Sequence, residues 1–286
     1  MLPLEDDDMN IDRRRFIESL GGAAAVALMA SEQKADALEA YMEEELDAAA
    51  YGLQQGAAPQ KYPTVAEIAE TEAARTGVRR GGGNIFNATG RDGTPRGPLA
   101  KMSSQPTLLE FFEKRFAPAN HVLQSATRAL KTGMPEDVVF ACLMHDTVHA
   151  LVKVDHGWWG AQIVEPYCSE RVVFAIRHHQ TLRFYPDEKF GYEYPEMYLR
   201  MFGEDYKPDA YLEQNYKMVR NHRLYELPRL VTVNDRYAFD ASQKVSIDPF
   251  VDIIGRQFKQ PKEGIGFDNG PVSHMWRTIM FPDRPL

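Results

Sequence analysis

Cysteine is scarce in this sequence of 286 residues, where only Cys142 and Cys168 are present. Two cysteines are too few for a disulfide framework or for a zinc site built on paired Cys-x-x-Cys motifs. Any bound metal must therefore be held by histidines and carboxylates, and the chain has 8 histidines. We expect both thiols to be free rather than joined to each other.

Long apolar runs and an excess of positive charge are also absent. No apolar stretch reaches the ~18 residues of a membrane-spanning helix, so no membrane span is predicted. The formal net charge of −8 lacks the basic character typical of nucleic-acid binding, so nucleic acid is not predicted as a partner. The 44% hydrophobic and 26% charged residues are typical of a globular protein.

Strand patterns are missing too, because no segment of any length alternates apolar and polar residues. Helical periods dominate from residue 107 onward, and an all-α fold is predicted. The expected helices are one opening at Leu108, then His121–Leu130, Pro135–Val152, Gly160–Tyr167, Glu170–Thr181, Leu212–His222 and Leu230–Phe239.

The chain divides into four predicted parts. An export signal over residues 1–37 precedes a helical segment and glycine-rich linker over 38–100, which includes a short helix at Thr64–Arg75. A helical domain follows over 101–247. Proline and glycine predict an irregular C-terminal extension over 248–286, interpreted as a cap on the bundle rather than a cover over the site.

The first part resembles a twin-arginine export signal. Residues 13–15 are arginines, and a weakly apolar stretch rich in Gly and Ala follows from Leu20 to Ala30. Cleavage is expected after Ala37, with a cut after Ala30 as the alternative. This predicts a periplasmic protein carried by the twin-arginine export machinery, with a cytoplasmic location as the alternative.

Histidines are concentrated in the helical domain, where six of the eight lie between His121 and His179. His145 and Asp146 end the apolar run Val138–Met144. Burying an adjacent imidazole and carboxylate is costly unless they are paired or bound to metal. A carboxylate can bridge two cations through its two oxygens, so the pattern predicts a two-metal site. Histidine and carboxylate ligands without thiolate suit iron, manganese or zinc.

The order of these residues resembles the HD-domain superfamily over about residues 120–240. The residues that carry the resemblance are His121, His145, Asp146, His156, His178 and Asp235. The resemblance implies a helical bundle that holds metals on these six side chains. Asp240 is a weaker alternative to Asp235.

The same resemblance implies how two metals would be shared. It assigns the first metal to His121, His145, Asp146 and Asp235, and the second to Asp146, His156 and His178. His179 is interpreted as a surface or outer residue, because its neighbour His178 faces the other way on a helix.

Several stretches are similar to a small oxygen-using branch of this superfamily, which includes myo-inositol oxygenase and the oxygenases that cleave hydroxylated aminophosphonates. These stretches are His121–Ala126 (HVLQSA), Asp155–Ala161 (DHGWWGA), His178–Phe184 (HHQTLRF) and Asn234–Tyr237 (NDRY). His149 stands three residues after Asp146, where many hydrolases of the superfamily have lysine. The branch implies two iron ions (Fe2+/Fe3+), dioxygen, and oxidative cleavage of a small hydroxylated substrate.

Three further residues are predicted near the substrate. His149 is expected to contact the substrate or relay a proton, or else to orient a metal ligand through a hydrogen bond. Arg183 and Lys114 are candidates to meet an anionic group, and Arg183 is equally plausible as a salt bridge within the bundle. Leu182 replaces the lysine that holds the phosphonate in the related oxygenases, so aminophosphonate is not transferred as the substrate. The alternative function is a metal-dependent phosphohydrolase acting on a phosphate ester, with manganese or zinc.

Overall fold

The computed structural model describes residues 35–36, 38–39, 41–43, 46, 100–116, 119–149, 152, 155–195, 198–199, 206–236, 238–240 and 242–281. Within these residues the chain is helical, and extended backbone pairs only in one isolated bridge, between Asp187 and Tyr192. The prediction of an all-α fold is confirmed. Most of the predicted export signal, the helix expected at Thr64–Arg75 and the glycine-rich linker lie outside the described residues.

The described residues form these α-helices: α1 (Leu108–Lys114), α2 (Ala119–Lys131), α3 (Glu136–Met144), α4 (His156–Val164), α5 (Glu170–Leu182), α6 (Ala210–Arg220), α7 (Glu226–Arg236), α8 (Val251–Gln257) and α9 (Ser273–Met280). Short 3-10 helices cover Glu188–Phe190 and Asp248–Phe250. Residues 35, 36, 38, 39, 41–43 and 46 are also helical and are called the N-terminal segment below. In this described part of the chain, no helix has both the length and the apolar character needed to cross a bilayer.

Helix α3 is the centre of the bundle because it is apolar on every side. Its seven residues from Val138 to Met144 are all buried. Helices α2, α5, α7 and α8 pack around it. Each fully buried large apolar side chain contributes about 1.5–3 kcal/mol relative to exposure, so this helix is a strong anchor for the residues that follow it.

The chain leaves the helical conformation directly after Met144, although the sequence predicted one helix as far as Val152. Residues 145–149 form turns instead. The backbone N–H of Thr147 donates to the carbonyl of Met144 (3.3 Å), and that of His149 donates to the carbonyl of Asp146 (2.9 Å). The prediction of a continuous helix is wrong here. The side chains of His145, Asp146 and His149 therefore follow the tight turn, and not the 3.6-residue helical period.

The C-terminal extension contains the helices α8 and α9, so the prediction that it is irregular is wrong for these residues. Trp276 of α9 is wholly buried, and its indole N–H donates to the carbonyl of Ile163 (3.1 Å). Its ring meets Phe111 of α1 edge-on, with centroids 4.8 Å apart. These contacts cap the bundle. Both Cys142 and Cys168 are free thiols.

Candidate metal centre

Five separate pieces of the bundle bring polar side chains to one buried point. The first turn of α2, the turn after α3, the start of α4, the last turn of α5 and the last turn of α7 each contribute. The side chains are His121, His145, Asp146, His156, His179 and Asp235, all between 0% and 8% exposed. Six ionisable groups in an apolar bundle are stable only when they are paired or bound to cations.

One half of the centre holds four of these residues, with ligand atoms within 4.8 Å of one another: His121, His145, Asp146 and Asp235. Nε2 of His121 lies 3.2 Å from Nε2 of His145. The same His121 atom lies 3.0 Å from Oδ1 of Asp235 and 3.3 Å from Oδ2 of Asp146. This half corresponds to the predicted first metal position.

The other half uses the second oxygen of Asp146. Oδ1 of Asp146 lies 2.8 Å from Nε2 of His156 and 3.5 Å from Nε2 of His179. The two imidazole nitrogens are 3.3 Å apart. Asp146 therefore presents one carboxylate oxygen to each half, which is the arrangement of a bridging ligand.

Hydrogen bonds on the outer side orient three of the imidazoles. In each of them Nδ1 lies close to a backbone carbonyl: His121 with Ala238 (3.1 Å), His145 with Cys142 (2.8 Å) and His179 with Ile176 (2.7 Å). A carbonyl only accepts, so each Nδ1 carries a hydrogen. In a neutral ring, Nε2 then directs its lone pair into the centre, as metal-ligating histidines do.

The donor set fits bound divalent metals. Nε2 atoms face one another at 3.2–3.3 Å, which places lone pair against lone pair unless a cation lies between them. Oδ1 of Asp146 is buried and accepts no hydrogen bond from the described residues, in spite of its 2.8 Å approach to His156. Imidazole and carboxylate ligands suit iron, zinc or manganese.

Protons take the place of cations when metal is absent. Burial lowers the pKa of His121, but hydrogen bonds to Asp146 and Asp235 outweigh it and raise this pKa to about 10. The pKa of His145 is also raised against burial, by the charge of Asp146. Burial alone raises the pKa of Asp146, but the charges of His145 and His156 hold it well below its usual value.

Metal binding is therefore expected to release protons at neutral pH. Ligand imidazoles must lose the proton on Nε2. In the metal-free protein the pKa of His121 is raised to about 10, and that of His145 is raised well above its usual value. For each proton displaced, the affinity for metal should fall by about tenfold when the pH is lowered by one unit. Titrating the metal-free chain with Zn2+ in weak buffer with an indicator dye measures this release. Zinc binding without proton release between pH 6.5 and 8.5 would contradict this prediction.

His178 does not face the centre, so the prediction that it is a metal ligand is wrong. Its half-buried ring packs on Phe174, with centroids 4.5 Å apart. Burial and the charge of Arg177 lower its pKa to about 4. His179 occupies the place predicted for His178, because one residue of an α-helix turns the side chain by about 100°.

The periodicity of α5 contained the signal for this choice. Ala175 and Ile176 are buried, and His179 follows them by four and three residues. Residues at these spacings share one helix face, so the buried face continues through His179. His178 shares its face with Phe174, at the margin of the bundle.

His149 lies beside the second half of the centre, as predicted. Its ring contacts His156, with centroids 4.4 Å apart. Nδ1 of His149 lies 2.6 Å from Oε2 of Glu43, and Nε2 lies 3.3 Å from the carbonyl oxygen of Asp36. The structure thus brings His149 next to one candidate ligand and pairs it with a carboxylate from the N-terminal segment.

Arg183 forms an ion pair within the bundle, which was one of the two interpretations of its sequence position. Its guanidinium is buried and donates to Oδ1 of Asp36 (2.5 Å) and to Oε2 of Glu39 (2.6 Å). Lys114, the other predicted anion contact, lies elsewhere. Its ammonium donates to Oε1 of Glu110 (2.7 Å) and to the carbonyl of Lys101 (3.0 Å), and none of these belongs to the centre.

The carboxylates of the N-terminal segment were not predicted near the site. Asp36, Glu39 and Glu43 are all buried, at 0%, 7% and 4% exposure. Their partners lie 106 to 159 residues away in sequence, and no local pattern encodes such contacts. The sequence placed Asp36 in the predicted export signal over residues 1–37, and Glu39 and Glu43 in the helical segment that follows it.

Asp240 is not part of the centre. Its backbone N–H and carbonyl bond to the amide of Gln124, and Oδ1 accepts from Ser242. Asp235 instead adjoins a narrow cavity that opens beside the centre. The cavity is lined by aromatic and charged side chains, among them Glu39, Arg183, Tyr192, Tyr198, Arg236 and Phe239.

The family comparison agrees with this architecture. Residues 119–238 match the family model of the HD domain. This match supports the predicted assignment to the HD superfamily. HD domains are generally metal-dependent enzymes and mostly hydrolases. No curated protein matches the chain.

Proposed function

We propose that the protein is a two-metal HD enzyme that uses iron and dioxygen to cleave a small hydroxylated substrate oxidatively. The observation that carries the two-metal part is the carboxylate of Asp146, which presents one oxygen to each half of the buried cluster. The oxygenase part rests on sequence resemblance and on His149, which stands beside His156 in place of lysine.

The roles of the side chains follow from their positions. A bound iron pair would supply electron transfer to dioxygen and a binding point for the substrate hydroxyl. The six buried side chains would hold both metals, and their burial would keep bulk water away from the reacting atoms. His149 would exchange a proton with the substrate hydroxyl, because its ring lies against His156 and its Nδ1 is held by Glu43.

Hydrolysis of a phosphate ester is the second candidate. It is favoured by the general activity of HD domains, and two manganese or zinc ions would polarise the ester and activate a water molecule. The charges near the centre argue against it. Asp36 and Glu39 add carboxylates, and the buried Arg183 already forms ion pairs with both. A negatively charged phosphate would be repelled by these carboxylates, whereas an uncharged alcohol would not.

Oxygen uptake and phosphate release distinguish the two functions. The chain, purified anaerobically and loaded with iron(II), is expected to consume dioxygen in an oxygen electrode with a hydroxylated substrate among polyols, hydroxyphosphonates and quaternary-amine alcohols. The same chain loaded with manganese or zinc is screened against nucleotides and other phosphate esters. Metal-dependent phosphate release without oxygen uptake on any iron preparation would establish the hydrolase instead.

His149→Ala is expected to keep both metals at saturating metal concentration and to lose activity by about 100-fold or more, the usual contribution of a positioned acid or base. Its Nδ1 is bonded to Glu43. It belongs neither to the group of His121, His145, Asp146 and Asp235 nor to that of Asp146, His156 and His179, although it forms a further group with Glu43 and Asp146. Metal content by elemental mass spectrometry and turnover are measured together. A metal loss as large as in His145→Ala would make His149 a ligand.

We also propose export of the folded, metal-loaded chain by the twin-arginine route. Lysine at positions 13–15 should leave the protein in the cytoplasm, and unchanged periplasmic recovery would exclude this route. Asp36 is buried and ion-paired with Arg183, so cleavage after Ala37 would remove a structural contact. We therefore expect processing after Ala30, which the intact mass of the periplasmic protein measures.

A further inference from the structure

The N-terminal segment lies outside the matched HD residues and nevertheless contacts the second half of the centre. We propose that this segment completes the second metal position, with Asp36 positioning the ligand His156 and Glu43 holding His149 beside it. This inference rests on the two-metal part of the proposed function. It makes the N-terminal segment a component of the metal centre.

His156 differs from the other three histidines on its outer side. Their Nδ1 atoms meet backbone carbonyls, whereas Nδ1 of His156 faces two side chains. Nε2 of Gln180 lies 3.1 Å from it, and Oδ1 of Asp36 lies 4.0 Å from it. A histidine bound to metal through Nε2 carries its hydrogen on Nδ1, which requires an acceptor.

Gln180 is poorly oriented to be that acceptor. The backbone N–H of Gly157 donates to its Oε1 at 2.6 Å, so the amide nitrogen is the atom turned towards His156. Gly157 is tightly enclosed, since a Cβ there would lie 2.8 Å from the carbonyl of Ile176 and 2.9 Å from the Gln180 oxygen. The packing therefore fixes Gln180 in this orientation.

Asp36 offers a carboxylate acceptor on this side of His156. Its Oδ1 accepts from Gln180 (2.8 Å) and from Arg183 (2.5 Å), while its Oδ2 is buried and accepts no hydrogen bond from the described residues. A shift of about 1 Å brings this carboxylate within hydrogen-bond distance of His156 Nδ1. Metal on Nε2 would favour that shift, because a carboxylate partner makes the imidazole a stronger ligand.

Glu43 lies on the other side of the same half. Its Oε2 is 2.6 Å from Nδ1 of His149, and its Oε1 is buried with no hydrogen bond from the described residues. Ligand atoms of Glu43, Asp146 and His149 all lie within 4.8 Å of one another. Glu43 thus holds His149 in contact with His156 and places a second carboxylate near Asp146.

Glu39, on the same segment, also has a ligand atom within 4.8 Å of those of Asp36 and His156. It offers a matched control because both of its carboxylate oxygens already accept hydrogen bonds from other residues. It accepts hydrogen bonds from Arg183 (2.6 Å) and from the hydroxyl of Tyr198 (2.9 Å), which fasten the segment to the bundle. Neither partner is a candidate ligand. Replacing Glu39 tests docking of the segment, whereas replacing Asp36 or Glu43 tests the carboxylates at the centre.

The test is a stepwise titration of the full-length, metal-free chain with iron(II) under anaerobic conditions. Wild type is expected to bind two ions. Asp36→Asn and Glu43→Gln should keep the first ion and bind the second 10–100-fold more weakly, the usual effect of losing an outer hydrogen-bond partner. Glu39→Gln should weaken the second ion by less than about tenfold. Retention of the first ion shows that each variant is folded.

Three results would overturn the inference. Wild-type affinity for the second ion in both Asp36→Asn and Glu43→Gln would exclude a role for these carboxylates. If Glu39→Gln lowered the affinity for the second ion by the same factor, the effect would come from docking of the segment alone. If Asp36→Asn or Glu43→Gln lost both ions, the carboxylates would not act specifically on the second position. A wild type that binds a single ion would overturn the two-metal proposal itself, which separates that failure from the others.

Discussion

Asp146→Ala is expected to abolish binding of both metals. Its two carboxylate oxygens approach different halves of the centre, Oδ2 towards His121 and His145 (3.3 and 3.2 Å) and Oδ1 towards His156 (2.8 Å). Removing the bridge deprives each metal of one ligand. It also leaves Asp235 as the one carboxylate among the remaining side chains of the centre to balance the charge of two cations. Metal counting on the purified variant measures the effect.

A matched control for this variant is Asp137→Ala. Asp137 lies in the first turn of α3. Its carboxylate pairs with the exposed Arg171 (2.5 Å) and not with the centre. It should retain two metals per chain. Full metal occupancy in Asp146→Ala, or equal metal losses in both variants, would contradict the proposal that Asp146 bridges two metals.

His179→Ala is expected to lose the second metal, with affinity lower by at least about 100-fold, while His178→Ala keeps it. Nε2 of His179 lies 3.3 Å from Nε2 of His156 and 3.5 Å from the bridging carboxylate. His178 contacts Phe174 outside the centre. The first metal should remain in both variants, since its four ligands are untouched.

Adjacent histidines make this comparison unusually well controlled. Both variants remove the same side chain from neighbouring positions of α5, so differences in helix propensity and composition cancel. Anaerobic titration with iron(II) gives the two affinities. A loss of the second metal in His178→Ala, or its full retention in His179→Ala, would restore the ligand set that the sequence indicated.

Helical periodicity and residue order sufficed to predict the all-α fold and most of the centre. His145 and Asp146 after the apolar run Val138–Met144 predicted a buried polar point, because ionisable groups at that place need cations or partners. His121, His156 and Asp235 take the expected places around it. The positions of His121, His156 and Asp235 were implied by the resemblance to the HD superfamily, which carries the order of these residues along the chain.

The errors came from geometry that the motif does not encode. Choosing His178 over His179 followed the family spacing, although the buried face of α5 continues from Ile176 to His179. The early end of α3 is a second case, because propensity favoured helix beyond Met144, where the chain turns. The positions of the Asp36 and Glu43 carboxylates depend on contacts with residues more than 100 positions away in the sequence. Sequence periodicity does not predict such contacts.

EPR of the half-oxidised protein is the decisive test of the proposed pair of irons joined by Asp146. The full-length chain is loaded with iron(II) anaerobically, oxidised by half an equivalent per iron and frozen. We expect two irons per chain and the signal of a spin-coupled Fe2+/Fe3+ pair, which should be absent in Asp146→Ala. One iron per chain, or only the signal of isolated ferric ions, would contradict this proposal.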